Sequence, residues 1–435
     1  MKKSKGIPIG KIERASKFVQ TGAKVGANYL KYYGDRIINP EKDAKNRLNS
    51  SNASDIYDGF KNLKGGPLKL VQMLSMEKNI LPEAYVDKFS LAQFSVPPLS
   101  EALVLKTFRK SFGKNPSELF DHFDIKSVNA ASIGQVHRAD KNGKKLAIKI
   151  QYPGISESIK SDLALVKPIA MKMFNMKGEN SDIYFKEVEK KLMEETDYLL
   201  EINQSKEITK ACKHIPNLKF PKYYKYLSSK QIITMDWMDG IHLSEFAKTN
   251  TNIEISNKVA QTLWDFYMFQ IHELKKVHAD PHPGNFLVSN NNMLIALDFG
   301  CVKIIPNDFY TSYFELYDKP ILGSSRLLNK KLYELELLRE DDTKKEIEFF
   351  SLIFKEMFQF FTKPFDQDTF DFSDKNFIQK TAEISEKYMR NSELKSMNGN
   401  RGSEHFIYLH RSILGLYNLM FILKANHIVV RNFES

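Results

Sequence analysis

Cysteine is scarce in this sequence of 435 residues, which contains only Cys212 and Cys301. Two isolated cysteines exclude a disulfide framework, and they lack the paired spacing of a metal site. A reducing compartment, the cytoplasm or an organellar matrix, is therefore expected. Long apolar runs are also missing: the most apolar stretch, 413–423, is about half of the ~20 residues that a membrane-spanning helix needs. We expect a buried core helix there and no transmembrane segment.

Signals for secretion and for nucleic-acid binding are also absent. The start of the sequence has no apolar core followed by a small-residue cleavage site, so a secretory signal is not expected. The formal charge of +11 favours an anionic partner, either nucleotide phosphates or an anionic lipid surface bound peripherally. The chain has neither interleaved basic and aromatic residues nor a zinc-finger or RNA-module signature, so nucleic acid is not an expected partner.

The usual glycine cradles for phosphate are missing, since neither G-x-G-x-x-G nor G-x-x-x-x-G-K-[ST] occurs. A run of small residues, NAASIGQ at 129–135, stands in their place. Ala130, Ala131 and Ser132 are small enough for backbone amides to approach phosphates, but alanine lacks the positive-φ freedom of glycine. We predict a nucleotide loop of restricted geometry, while small residues of this kind also mark plain turns.

The pattern along the chain indicates three regions. Residues 1–120 are basic and helical, with Phe18, Val19 and Val25 near helical spacing among lysines; such a helix can lie on a membrane surface or pack on a neighbouring domain. Residues 121–240 carry short β-like runs and a helix from Tyr184 to about Ile208. Residues 241–435 are mostly helical, apart from a β-flanked segment around 277–300. The content of 42% hydrophobic residues indicates a folded protein, and the order of helical and β-like regions predicts the α+β class.

The most specific signal is VHADPHPGNFLV followed by LIALDFG. Asp280 and Asn285 are five residues apart, and Asp298 opens a D-F-G tripeptide thirteen residues later. Phosphoryl transfer needs oxygen ligands that hold magnesium on the phosphates and another carboxylate that faces the nucleophile. We therefore assign Asn285 and Asp298 to Mg²⁺ and Asp280 to catalysis. Taken one at a time, the motifs could also be turn residues and a chance tripeptide.

A lysine interrupts the apolar run LAIKI, which we predict to be a buried strand. A buried ammonium needs a compensating anion, and Glu201 on the following helix can supply it. Such a Lys149–Glu201 pair clamps ATP phosphates in protein kinases. The alternative is an edge strand with Lys149 in water. The later run IITMDWMDG has the shape of an interlobe hinge: after the bulky Met235, the backbone from Asp236 to Met238 is predicted to pair with adenine, or else the run is an ordinary strand end.

At these residues the sequence resembles the UbiB family of atypical kinase-like proteins, over roughly residues 60–305. The family marks are KLVQMLS, AASIGQVH, KIQYPG, EETDYLLE and HADPHPGNF. The resemblance implies a two-lobed protein-kinase-like fold with a helical N-terminal extension, whose K-x-G-Q motif lies over the active site and faces an E-x-D acidic pair. In this chain those motifs correspond to Lys69, Gln72, Glu195 and Asp197. Val71 replaces the motif's glycine, and Asn129 stands where alanine is common.

Three functions follow from this pattern. The first is an ATP-binding, Mg²⁺-dependent ATPase or small-molecule phosphotransferase that supports quinone or isoprenoid-lipid metabolism, with enzymes of that pathway as partners. The second is a nucleotide-gated scaffold for such enzymes. The third is a conventional protein kinase, which is disfavoured because no A-P-E follows D-F-G and because Ala279 replaces the arginine of H-R-D.

Overall fold

A computed structural model of the chain describes residues 11–39, 41–63, 67, 84–85, 88, 98–130, 133–173, 179–389 and 401–431. The chain forms two compact units: the first consists of Met1–Ile202 and Lys222–Trp237, and the second of Asn203–Pro221 and Met238–Ser435. The predicted domain boundaries at residues 120 and 240 stay a prediction. The boundary at 240 lies close to Trp237, where the chain leaves the first unit and enters the second.

Helices and strands are numbered here in chain order. The helices are α1 Lys11–Ile38, α2 Glu41–Leu63, α3 Glu101–Phe112, α4 Pro116–Leu119, α5 Ile155–Met173, α6 Glu179–Glu195, α7 Tyr198–Ala211, α8 Leu243–Thr249, α9 Ile253–His272, α10 Asn307–Glu315, α11 Lys319–Gly323, α12 Ser325–Glu334, α13 Lys344–Phe361, α14 Lys375–Met389 and α15 Glu404–Ile422. The strands are β1 His122–Phe123, β2 Asn129–Ala130, β3 Gly134–Lys141, β4 Lys144–Gln151, β5 Leu218–Lys219, β6 Ile232–Asp236, β7 Ile241–His242, β8 Lys276–His278, β9 Phe286–Val288, β10 Leu294–Ala296, β11 Val302–Ile304, β12 Thr369–Phe370 and β13 Ile428–Val429.

The first unit is built on an antiparallel sheet of order β1-β3-β4-β6, with β2 added to β3. The three predicted β runs correspond to β2–β3, β4 and β6. Because β4 is paired on both edges, its isoleucines at 148 and 150 are fully buried, and they join α3, α5 and α6 in one core. The N-terminal helices α1 and α2 contribute to the same core, where Phe18 contacts Phe60 edge to face at 5.5 Å.

Two details of the predicted helices differ from the structure. Val19 is 70% exposed, whereas Phe18 and Val25 are buried, so the apolar stripe on α1 is narrower than its spacing suggested. The helix predicted from Tyr184 to Ile208 is two helices, α6 and α7, interrupted at Thr196 and Asp197. The apolar periodicity continues through the break because both helices bury one face in the same core. The helix α5 was not predicted.

The second unit is mostly helical, as predicted for the region after residue 240. Short strands form a sheet of order β5-β10-β9-β7 and two pairs, β8 with β11 and β12 with β13. Its core surrounds α9 and α15, where Trp264 and Tyr417 stack with ring centroids 6.3 Å apart. The apolar stretch 413–423 is the buried C-terminal half of α15, as predicted. Among the described residues, no helix is long and apolar enough to cross a bilayer.

Candidate active site

Lys149 lies in the middle of β4, opposite Val136 of β3 and Ile233 of β6. It is only 8% exposed, and its Nζ donates to both carboxylate oxygens of Glu201, at 3.0 and 3.2 Å. The same ammonium lies 5.1 Å from the ring centroid of Tyr198. The edge-strand alternative is therefore wrong: the lysine is buried and is neutralised by a buried carboxylate, as a low-dielectric position requires.

The start of α7 places Glu201 toward Lys149. Asp197 precedes the helix, and its Oδ1 accepts the backbone N–H groups of Leu199 and Leu200 at 3.1 and 3.2 Å. An aspartate cap of this kind satisfies amides that have no partner within the helix and favours a helix start at that point. Asp197 and Glu201 therefore act differently, one capping the helix and the other pairing with the buried cation.

Glu195 ends α6 and is buried, one residue before the break. Gln151, two residues after Lys149, donates from Nε2 to the carbonyl of Thr196 at 3.0 Å and so ties β4 to this break. A cavity of about 450 Å³ opens beside it. Its lining includes Asp197 but neither Lys149 nor Glu201, so in the first unit this cavity and the ion pair are separate features. The lining residues are Lys110, Ser111, Gln151, Ser156, Glu157, Met193, Thr196, Asp197, Ser229, Lys230 and Gln231.

The alanine loop lies only in part within the described residues. Ala130 ends β2, whereas Ala131 and Ser132 fall outside the described part. Gly134, directly after the loop, was not singled out from the sequence. A Cβ there would lie 2.6 Å from the carbonyl oxygen of Ile150 and 2.8 Å from the hydroxyl of Tyr198. The loop therefore enters β3 at a point that tolerates only glycine.

Two further residues of AASIGQVH form a buried polar chain. Gln135 Oε1 accepts the backbone N–H of Leu99 at 2.7 Å, and its Nε2 lies 2.7 Å from His137 Nε2. Since the amide nitrogen can only donate, His137 Nε2 accepts, and its Nδ1–H donates to the carbonyl of Asp124 at 2.8 Å. Burial lowers the pKa of His137, which favours this neutral form. The motif thus ties the segment before α3 to β3.

The predicted hinge begins at the end of β6. Asp236 accepts the hydroxyl of Tyr224 at 2.7 Å and the amide of Lys222 at 3.1 Å, so its carboxylate fixes the neighbouring loop. The amides of Asp236 and Trp237 donate to the carbonyls of Lys222 and Lys145. Of the three backbone amides at 236–238, the prediction of adenine pairing therefore depends on Met238. Met235 pairs with Ala147 in the sheet.

In the second unit, two short antiparallel pairs bring the motif residues to one end. β8 pairs with β11, and the amide of Ala279 extends the pairing to the carbonyl of Cys301 at 2.8 Å. β9 pairs with β10, and the amide of Leu297 extends it to the carbonyl of Asn285 at 3.0 Å. Asp280 and Asp298 each follow one of these last paired residues. The register of the two strand pairs thus places Asp280, Asn285 and Asp298 at the same end of the pairs, although they are up to eighteen positions apart in the sequence.

Hydrogen bonds fix the three side chains. Asn285 Nδ2 donates to the carbonyl oxygen of Asp280 at 2.9 Å and to its Oδ2 at 3.2 Å. With its NH₂ group directed to Asp280, Asn285 has its Oδ1 as the remaining ligand atom. Asp298 Oδ1 accepts the amide of Gly300 at 2.8 Å. The short helical turn Pro283–Asn285, capped by His282, joins Asp280 to Asn285.

A buried network supports the strand before Asp280. The amide of His278 donates to Gln270 Oε1 at 3.0 Å, and His278 Nδ1 lies 3.1 Å from the hydroxyl of Tyr267. Burial first, and then the negative charge of Asp280, raise the pKa of Tyr267 far above its usual range. The tyrosine therefore stays protonated near Asp280. Gln270 and Tyr267 lie on α9, where the sequence showed only helical spacing.

The residues fit magnesium bound together with a nucleotide. Within the described part of the chain, no three His, Cys, Asp or Glu side chains group as a metal site. Mg²⁺ in nucleotide sites is held by one or two protein oxygens together with phosphates and water, rather than by a cage of side chains. The carboxylate of Asp298 and the amide oxygen of Asn285 would supply those two ligands. Lys69 and Gln72, together with Val71, lie outside the described residues.

The family model of the ABC1 atypical kinase-like domain matches residues 91–327, more than half of the chain. The chain belongs to this family. It is 26% identical to the probable serine/threonine-protein kinase abkA of Dictyostelium discoideum, over 98% of this chain and 79% of that protein. It is 28% identical to the mitochondrial atypical kinase COQ8 of Saccharomyces cerevisiae, over 72% of this chain and 64% of that protein.

Other ABC1 relatives are longer than this chain. Identity to the chloroplastic protein ACTIVITY OF BC1 COMPLEX KINASE 8 of Arabidopsis thaliana is 30%, over 59% of this chain but only 36% of that protein. A solved structure of Mycobacterium tuberculosis Rv3197, in complex with erythromycin, matches 90% of this chain and 97% of its own with a TM-score of 0.59. At 22% identity this likeness concerns the fold alone. The predicted UbiB membership and kinase-like fold are confirmed.

Proposed function

We propose that this ABC1 protein binds ATP with Mg²⁺ and acts as an ATPase or as a phosphotransferase on a small molecule. The observation that carries the proposal is the buried pair of Lys149 and Glu201, held at 3.0 and 3.2 Å. Burying two charges contributes little to stability compared with apolar residues of the same size. A function that needs an oriented cation, such as phosphate binding, accounts for keeping the pair.

The second unit supplies groups for the chemical step. Asn285 and Asp298 offer oxygens for Mg²⁺, which would neutralise charge on the phosphates. Asp280 is held by Asn285 and is half-buried between two buried neighbours, a position suited to accepting a proton from the attacking hydroxyl or water. The resemblance to UbiB proteins supports a role in quinone or isoprenoid-lipid metabolism, with a phenolic or isoprenoid precursor as the phosphate acceptor or effector.

ATP turnover by the purified chain tests the proposal. We expect Mg²⁺-dependent phosphate release that Lys149→Met, Asp280→Asn and Asp298→Asn each reduce by about two orders of magnitude or more. Lys145→Met, an exposed lysine on the same strand, and Asp341→Asn, an exposed aspartate outside the motifs, are matched controls that should retain wild-type rates. Wild-type protein that neither binds nor hydrolyses ATP with Mg²⁺ would refute the proposal.

The scaffold and protein-kinase alternatives have distinct outcomes. Asp280→Asn retains the Lys149–Glu201 pair and both proposed metal ligands, so nucleotide binding should persist without turnover. If that variant still complements a deletion strain, the scaffold is correct and catalysis is not required. Transfer of radiolabelled phosphate to a protein in trans by the wild-type chain would favour the protein kinase.

A further inference from the structure

The neighbours of Asp280 are held by a helix that lies outside the segment matching the ABC1 domain. Asp280 itself is half-buried, whereas Ala279 and Pro281 on either side are buried. Both neighbours lie against α15, the C-terminal helix Glu404–Ile422, which begins 77 residues after the end of the family match at 327. The position of the proposed catalytic carboxylate therefore depends on how this helix packs.

Two positions on one face of α15 make these contacts. Tyr408 forms a small buried cluster with Ala279 and Cys301, which are joined by the hydrogen bond that extends the β8–β11 pair. Seven residues later, two turns along the same face, Gly415 lies against Pro281. Ser412, between them, donates from Oγ to the carbonyl of Tyr408 at 2.7 Å. The helix thus touches the chain on both sides of Asp280.

Gly415 makes this contact because it lacks a side chain. A Cβ at this position would lie 2.1 Å from Cγ and 2.9 Å from Cβ of Pro281. Ordinary van der Waals contact begins at 3.4 Å, so the ring or the helix would have to move by about 3.4 − 2.1 = 1.3 Å. A glycine within a helix is disfavoured by about 1 kcal/mol relative to alanine. Close approach of the helix to Pro281 is a physical reason for keeping glycine here.

We infer that Gly415 is a positioning residue for the proposed reaction: by letting α15 approach Pro281, it sets the place of the Asp280 carboxylate. The inference rests on the proposed function for its catalytic consequence, but its structural part stands on the contact itself. Displacement of a catalytic group by about 1 Å lowers turnover by about 10²-fold. The effect should fall on kcat, because the contact acts on Pro281, next to the proposed catalytic carboxylate, and touches neither Lys149 nor the proposed Mg²⁺ ligands.

The test is a mutant cycle with Gly415→Ala, Pro281→Ala and the double variant. We expect Gly415→Ala to lower kcat about 10²-fold while the dissociation constant for ATP with Mg²⁺ changes by less than about threefold. Pro281→Ala removes the Cγ atom that meets the new methyl group at 2.1 Å and leaves the Cβ atom, which meets it at 2.9 Å, so most of the required movement disappears. The double variant should therefore recover at least about tenfold over Gly415→Ala alone, whereas independent effects would multiply and lower kcat further.

The control is Gly22→Ala, in the interior of α1, where a Cβ would meet nothing within 4 Å. It gives the same change in helix propensity without the contact, and its kcat should equal that of the wild type. A wild-type kcat in Gly415→Ala would overturn the inference while leaving the proposed function intact. The same holds if the relative kcat of the double variant is equal to or below the product of the relative kcat values of the two single variants.

A readout that needs no turnover separates the two proposals. In the wild type, the amides of Ala279, His282 and Asn285 are hydrogen-bonded at 2.7–3.0 Å within the loop and its strand pair. Gly415→Ala should accelerate hydrogen exchange at Ala279 and His282, which lie next to Asp280 and Pro281, while Asn285 stays protected, and the double variant should restore most of the lost protection. Unchanged exchange in Gly415→Ala would overturn the inference even if the wild type lacks ATPase activity, an outcome that would by itself refute only the proposed function.

Discussion

The Lys149–Glu201 pair allows stability and activity to be separated by mutation. The two side chains are 10% and 5% exposed, so replacing either one leaves a charged partner in a buried position. Removing one member of a buried ion pair costs about 3–5 kcal/mol, whereas replacing both with apolar residues of similar size is often neutral or stabilising. We therefore expect Lys149→Met and Glu201→Leu each to destabilise the first unit, and the two substitutions together to recover most of the loss.

The expected shifts are large enough to measure. The first unit has 202 + 16 = 218 residues, and in units of this size 1 kcal/mol shifts Tm by about 2–4 °C. Each single variant should then melt about 6–20 °C below the wild type, and the double variant close to it. A total stability of about 5–15 kcal/mol means that the single variants still fold below their lowered Tm.

ATP turnover should not follow stability in this series. The double variant regains stability without regaining the cation, so its turnover should stay as low as that of Lys149→Met. Calorimetry or dye-based melting gives Tm, and phosphate release gives the rate, with the exposed Lys145→Met as the matched control. A double variant destabilised by the sum of the single effects, or one with wild-type turnover, would refute the reasoning.

Three further predictions concern other parts of the chain. Burial lowers the pKa of His410 to about 4, below the unfolded value of about 6.5, so its contribution to stability is complete above pH 6.5 and is lost as the pH falls toward 4. This group should lower the free energy of unfolding by about 2 kcal/mol at pH 5 relative to pH 8. In denaturant titrations at both pH values, His410→Phe should abolish this difference, and the control His427→Gln, at an exposed histidine, should retain it. Gly134→Ala should weaken ATP binding at least about tenfold, because its Cβ would lie 2.6 Å from a strand carbonyl; calorimetric titration showing wild-type affinity would contradict this. Binding to anionic lipid vesicles, proposed from the charge of +11, should fall steeply between low and high salt in sedimentation assays, and retention after a high-salt wash would exclude a charge-driven association.

The sequence alone predicted the chemistry-bearing motifs because these motifs are local. Asp280 and Asn285 are separated by one tight turn, and Asp298 follows a strand of apolar residues, so residue types and spacing carry most of the information. Lys149 in an apolar run required a buried anion, and Glu201 meets that requirement in the structure. The roles of these residues in catalysis and metal binding stay predictions.

Other site features involve groups far apart in the sequence, which spacing cannot reveal. The break before α7 depends on Asp197 capping the helix, while the apolar periodicity runs on through it. Gln135 matters because its side chain reaches Leu99, 36 residues earlier, and Gln270 because it accepts an amide from β8. An amide side chain inside the apolar run at 266–271 is a signal by which Gln270 could have been found, whereas Gln135 has no such run around it.

Composition and local pattern determined that this chain is a folded, kinase-like α+β protein, because burial of apolar residues and the ligand chemistry of phosphates restrict which residues can stand at which spacing. Tertiary structure alone decided which side chains support those motifs. Gly415 shows the reason: its role is the space it leaves for Pro281, 134 residues earlier, and a missing side chain leaves no pattern along the chain. Only the packing of α15 against the Asp280 loop shows why glycine is needed at this position.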